Sequence, residues 1–193
     1  MPVKPKPNAD EVLKAEYNYI SNTIFQANED RSRVASFYFV TVGSLVAAIL
    51  SAIFSTSNLK NVSLAFSGLF VVLTVLGVLT LAQLARLRAA WHESAEAMNQ
   101  IKDFYIKHNK EIEPAFKWRA RTLPATDKPN SIANLMAVEV VLLSAITSAA
   151  SMYFLLAALG SITVWGWVLL LATLFVSSIA LWAWYKHLLV DNQ

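Results

Sequence analysis

The stretch VSLAFSGLFVVLTVLGVLTLAQLARLRAAWHESAEAMNQIKDFYIKHNKEIE, Val62 to Glu113, fixes the architecture of this chain. Its first part, Val62 to Ala85, is an apolar span. From Arg86 it continues as a charged amphipathic helix through Trp91, Met98, Tyr105 and Ile112. No proline interrupts it before Pro114, and its glycines, Gly68 and Gly77, both lie inside the span. At about 1.5 Å per residue, fifty-odd residues make a rod roughly 75 Å long. A bilayer core takes roughly 30 Å of that, so the rest must stand in water.

Along this rod Ser63, Ser67, Thr74 and Gly77 share a face. Carried on at 4-3 spacing, that face reaches Leu81, Leu84, Arg88, Trp91, Ala95, Met98, Lys102 and Tyr105. A period near 3.5 sustained this far favours a left-handed helix pairing. The N-terminal helix is the obvious partner. Asn8 caps it, with Glu11 at capping-box spacing, and it runs from about Ala9 to Asp30 behind a proline-rich lead, Met1 to Pro7. Leu13, Tyr17, Ile20, Ile24 and Ala27 form one apolar stripe on it. This helix approaches the membrane as the stalk leaves it, so the two would pack antiparallel. A second copy of the chain is the other partner open to that seam, whose assembly residues are Leu13, Tyr17, Ile20, Ile24, Trp91, Met98 and Tyr105.

Composition agrees with a membrane protein. The chain has 193 residues, 56% hydrophobic and 15% charged, with the apolar residues gathered in four blocks. The net charge of +3 does not point to nucleic acid, because the basic residues flank spans, where topology explains them. With no cysteine, disulfides and thiolate metal sites are excluded. The first apolar block is too long for a signal-peptide core and follows 33 largely polar residues, so it reads as an uncleaved anchor.

The expected organisation is all-α and polytopic. A cytoplasmic lead and amphipathic helix occupy 1–33, followed by spans at 34–54 and 62–85. The cytoplasmic stalk helix is 86–113 and a linker fills 114–130. Further spans lie at 131–159 and 162–185, and a cytoplasmic tail at 186–193. Arg31 and Arg33 mark the first membrane boundary. In span one, Thr41, Ser44, Ala48 and Ser51 follow one face, with Gly43 and Ala47 as a small-xxx-small pair. Such a face reads as helix packing, with a pore lining as the sharper reading. Asn130 or Ser131 caps the third span helix, whose small face is Ser144, Ser148 and Ser151. In the fourth span Trp165 and Trp184 stand roughly 28 Å apart in rise, about one hydrocarbon thickness, as aromatic belts should. All Lys and Arg except Lys60 fall on one side of this arrangement. The positive-inside rule then puts both termini and the stalk in the cytoplasm, the membrane being the inner one.

Chemistry is sparse. Glu139 is the one ionisable residue inside a span, and an intramembrane carboxylate is a functional candidate by default. Its place near the inner edge favours an ion pair with Arg33, Arg86 or Arg88 over an ion site. His92 and Glu96 sit one turn apart, too few ligands for a closed metal site; a surface ion pair is the simpler reading. No span holds a mid-membrane histidine for haem, and no cofactor is expected. No P-loop, nucleophile elbow or dinucleotide fingerprint occurs. In the linker, Lys117, Trp118, Arg119 and Arg121 suit an anionic lipid surface as well as they suit a solvated loop.

Glu16-Tyr17-Asn18-Tyr19 in the entry helix and Arg86-Leu87-Arg88-Ala89-Ala90-Trp91 leaving span two resemble the bacterial SLATT-type membrane modules. The likeness covers about residues 10 to 110 and lies in the order helix, two spans, helix. It implies a membrane effector that assembles into a pore. The second span pair falls outside it, and the chain also has the look of small bacterial four-span proteins. The composition itself points first to a non-enzymatic, self-assembling or accessory subunit of a membrane complex. The partners would be the bilayer and either further copies or other membrane subunits. A homo-oligomeric pore is the alternative. A transporter or intramembrane enzyme is weakest, with neither broken spans nor paired midplane polar groups.

Overall fold

A computed structural model describes residues 8–55, 59–116, 118–160 and 162–191. Residues 1–7, 56–58, 117, 161 and the last two lie outside the described residues. The fold is all-α, and among the described residues there is no strand. Four long helices follow one another: α1, Ala9–Ser55; α2, Leu59–His108; α3, Ile132–Leu159; and α4, Val164–Asp191. All four are long and apolar enough to cross a membrane. Their outward faces are a belt of aliphatic and aromatic side chains, among them Val71, Val75, Leu142, Ile146, Leu171, Phe175 and Ile179. In water such a surface would aggregate; in hydrocarbon it is the expected solvent face. The chain is a multi-pass membrane protein.

The first helix differs from the two pieces expected. The amphipathic helix and the first span are one rod of 47 residues. Nothing at Arg31–Arg33 breaks it, since neither proline nor glycine stands there. Its buried positions are Ile20, Ala27, Arg31, Ala35, Tyr38, Val42 and Ile49. One seam therefore crosses the expected membrane boundary without a change of register. The second helix is also continuous, but it stops at His108, five residues short of Glu113. Asn109 leaves the helical region and Lys110–Ala115 forms a 3-10 turn around Pro114. Proline clashes with the carbonyl four residues back, which here is that of Lys110, so the α-helix ends before that point. Ser131, not Asn130, caps α3, its hydroxyl accepting from the Asn134 amide at 3.3 Å. Asn130 takes φ +59°, the left-handed conformation asparagine tolerates. The fourth helix runs past Tyr185 to Asp191, so most of the expected tail is helical.

The second helix is the hub. It packs most extensively on α3 and α1, while α3 packs on α4. No Cα of α1 comes within 8 Å of one in α4 among the described residues, so the four helices do not close into a square bundle. The α2–α3 interface is unusually tight. A Cβ at Gly77 would stand 1.9 Å from the Ser144 hydroxyl and 2.6 Å from that of Tyr38. Gly77 is thus where the backbone must come close, and where Tyr38 of α1 reaches through to α3. The core around it holds Val42, Phe70, Leu73, Leu81, Leu84, Ala137 and Val140. Phe154 stacks on Phe70 at 5.5 Å and meets Phe66 edge-on at 5.4 Å.

These contacts separate the glycines. Gly77→Ala drives a methyl into Ser144 and should destabilise the fold by about 1–3 kcal/mol, the usual range for overpacking. Gly43→Ala and Gly68→Ala, with nothing within 4 Å of the new methyl, should be neutral or slightly stabilising. Melting temperatures of the three variants in one detergent would check this; equal melting of Gly77→Ala and Gly43→Ala would contradict the close approach.

Candidate functional site: a hydroxyl ladder and a buried arginine pair

The polar residues within the spans are largely consumed inside the fold. Ser67 and Ser151 each donate to the other's carbonyl at 3.0 Å, and their hydroxyls lie 3.2 Å apart. One step along, Thr74 and Thr147 meet at 3.0 Å. Beyond that, the Tyr38 and Ser144 hydroxyls meet at 2.9 Å. Ser177 of α4 donates to Ser148 at 3.1 Å. The expected faces on spans two and three are therefore a ladder of hydroxyls between helices. The face of span one turns the other way. Gly43, Ser44, Ala47, Ala48 and Ser51 are exposed, and Thr41 bonds the Phe37 carbonyl of its own helix at 2.8 Å.

The stalk expectations meet a mixed geometry. Ile20 and Ala27 are buried. Leu13, Ile24, Trp91, Met98 and Tyr105 are half-buried, and Tyr17 is exposed. The start of α1 does lie beside the end of α2, antiparallel to it. Between them a groove of about 510 Å³ is lined by Leu13, Tyr17, Ile101, Tyr105 and Phe116 together with Asp10, Lys14 and Lys102.

The linker was legible only as a loop, yet it folds down the stalk. Lys102 donates to the Trp118 carbonyl at 3.4 Å. Arg119 is held by Glu113 and by Asp103 at 3.5 Å, and the hydrogen bond to Glu113 raises its pKa above the usual arginine value. Further down, Arg88 Nε donates to the Thr126 carbonyl at 3.0 Å and Nη2 to that of Ala125 at 3.3 Å. Helix α2 from Lys102 to Arg88 measures about 21 Å, and eight extended residues reach roughly 26 Å. The segment from Trp118 to Thr126 can therefore descend along α2 and deliver the chain to α3. Trp118 and Arg121 are exposed, but Trp118 stands beside Lys102, about 24 Å along the helix from Arg86. Lys117 lies outside the described residues.

Glu139 is not brought to the arginines. It is exposed on the outward face of α3, between Leu135 and Leu142. Among the described residues it makes no ion pair: Arg33 pairs with Asp30 at 3.4 Å, Arg88 serves the linker, and Arg86 is exposed. His92 and Glu96 make no ion pair either, and among the described residues no group of three metal-ligating side chains occurs.

The residue that sequence reasoning passed over is Arg31. It marked a boundary there; in the fold it sits on the α1 seam, 6% exposed. Opposite it on α2 stands Arg88, 7% exposed, its guanidinium 4.8 Å over the Trp91 ring. Burial lowers the pKa of both, and the charge of Arg88 lowers that of Arg31 further. Arginine nonetheless stays protonated in proteins. Two buried cations thus face one junction, and a buried charge without a partner costs several kcal/mol. The signal was present in the sequence: adding four to Ala27 on the apolar stripe lands on Arg31.

No family model matches this chain, and no curated protein or solved structure matches it.

Arg88 ties the linker to the stalk through bonds from a charged donor, each of which contributes about 1.5–3 kcal/mol. Arg88→Leu should therefore speed amide exchange through 123–128 by roughly tenfold or more, while Arg86→Leu, at an exposed position, leaves it unchanged. Exchange mass spectrometry would read both; equal protection in the two variants would remove Arg88 from this role.

Proposed function

We propose that the protein is a non-enzymatic subunit of a membrane complex, self-assembling or accessory to other membrane chains. The observation that carries this is the outward small-residue face of α1, with Gly43, Ser44, Ala47 and Ala48 exposed while the hydroxyl ladder of spans two and three is buried in the chain's own packing. Small residues let helices approach closely in lipid, where packing and hydrogen bonds replace the hydrophobic drive. Glu139 supports the same reading. An intramembrane carboxylate on an outward face calls for a partner, and among the described residues its own chain offers none. By the charge asymmetry both termini and the stalk lie in the cytoplasm, and exposed Trp118 and Arg121 suit contact with anionic lipid.

A homo-oligomeric pore is the second reading. The exposed Ser44 and Ser51 could line a lumen if several copies met through α1, and the likeness to SLATT-type modules over residues 10 to 110 supports it. A ring of identical copies by particle mass in native nanodiscs would favour the pore and justify conductance recordings; stoichiometric unrelated chains would favour the accessory role.

Gly43→Leu tests the face itself. With nothing within 4 Å of the new side chain's root, the fold should tolerate it. Assembly through α1 should weaken at least about tenfold, a change of roughly 1.4 kcal/mol, and the particle mass should fall toward that of the single chain. An unchanged particle would remove α1 as the contact.

A further inference from the structure

Arg31 carries an unanswered demand. Its Nε and Nη2 are both buried and neither has a hydrogen-bond partner. These two N–H groups lie side by side on one edge of the guanidinium, the fork that takes two oxygens of one oxyanion. Arg88 shows the same edge satisfied: its Nε and Nη2 donate to the carbonyls of Thr126 and Ala125. Those carbonyls meet the donors of Arg88 but do not neutralise its charge. Among the described residues no carboxylate lies within 4.0 Å of either guanidinium. The nearby acids are engaged elsewhere, Asp30 with Arg33 at 3.4 Å and Asp127 with Lys186 at 3.5 Å. A water could fill the fork, but it would leave both charges uncompensated.

We propose that Arg31 and Arg88 form a binding site for a phosphate-class oxyanion, enclosed between α1 and α2 where the stalk meets the membrane. The fork of Arg31 grips two oxygens and Arg88 supplies the second positive charge. Two cations and no acid fit a phosphate better than a halide, because a phosphate presents one oxygen to each N–H of the fork while a halide shares a single atom between them. The site stands at the level where the sequence places the membrane boundary, so the phosphate has two sources: the headgroup of an anionic lipid, or free inorganic phosphate. Occupation would lock α1 to α2 at this level.

The test uses the full chain in nanodiscs, with apparent melting read by tryptophan fluorescence. One arm titrates inorganic phosphate into phosphatidylcholine discs at constant ionic strength, balanced with gluconate. The other compares phosphatidylglycerol discs with phosphatidylcholine discs in phosphate-free buffer. The wild type should gain roughly 5 °C or more in at least one arm, as expected for a ligand well above its dissociation constant. A gain with phosphate identifies the free ion; a gain only with phosphatidylglycerol identifies the headgroup. Arg31→Leu should lose the gain and Arg33→Gln, two residues away and exposed, should keep it. Should Arg31→Leu fail to fold, Arg31→Lys takes its place: it keeps the charge, lacks the fork, and should lose at least half the gain. No gain in either arm, an equal loss in Arg33→Gln, or a full gain in the Arg31 variant overturns the site.

Discussion

A bilayer offers no hydrogen bonds, so every polar group carried into it must find its partner inside the protein. That constraint shapes this fold around Gly77. The glycine lets α2 and α3 come close enough for serines and threonines to meet across the interface. It also opens the space through which the Tyr38 hydroxyl reaches Ser144 from the third helix in the contact. A larger residue there would push apart the hydroxyl pairs that depend on the approach. Helix packing in the membrane and satisfaction of the hydroxyls are thus one requirement met by one residue. The position of α2 as hub follows, because it alone carries small or hydroxyl residues toward α3 and a second packing face toward α1.

Outside the membrane the constraint changes but the seam does not. Helix α1 keeps one register from Ile20 to Ile49, through what the charges mark as the boundary. Water permits burial of polar groups more cheaply than hydrocarbon, provided they are paired. Asn99 uses that freedom, buried on the stalk and accepting from Lys102 at 3.3 Å. Arg88 uses it too, exchanging hydration for two linker carbonyls and the face of Trp91. The linker is therefore part of the stalk. Its carbonyls answer an arginine whose position is set by the seam, and its descent along α2 leads the chain to α3.

What could be read in advance follows from how local each signal is. The four apolar helices, the Ser63-Ser67-Thr74-Gly77 face, a cap at Asn130 or Ser131 and the continuity of α2 as far as His108 depend on neighbours within a few residues, and local pattern carries them. The partner of Glu139 depends on how α3 is rotated about its axis. The small face Ser144-Ser148-Ser151 fixes that rotation, and at 100° per residue Glu139 lies about 140° away from Ser144, so the carboxylate faces outward. Arg31 is the instructive case. Charge identified it as a boundary marker, while spacing placed it on the seam, and the two signals conflict in the sequence. The fold resolves the conflict in favour of spacing, because breaking the register of a 47-residue helix would sacrifice the packing of Ala27, Ala35 and Tyr38 together. The linker's path was not legible, since it depends on carbonyls that any sequence would possess.

The same reasoning bears on why the helices do not close into a square. Among the described residues α1 and α4 share no backbone contact, and both expose apolar faces: Phe37, Val40 and Leu50 on α1, Phe175, Val176 and Ile179 on α4. A closed bundle would bury Gly43 and Ala47 against α4. Instead α1 leans mainly on α2 and touches α3 where Tyr38 crosses to Ser144. At the stalk end Arg31, Arg88 and Tyr185 are all buried. Arg31 on α1 and Arg88 on α2 repel each other across the helix pair that carries the seam, and the anion proposed above would reverse the sign of that interaction.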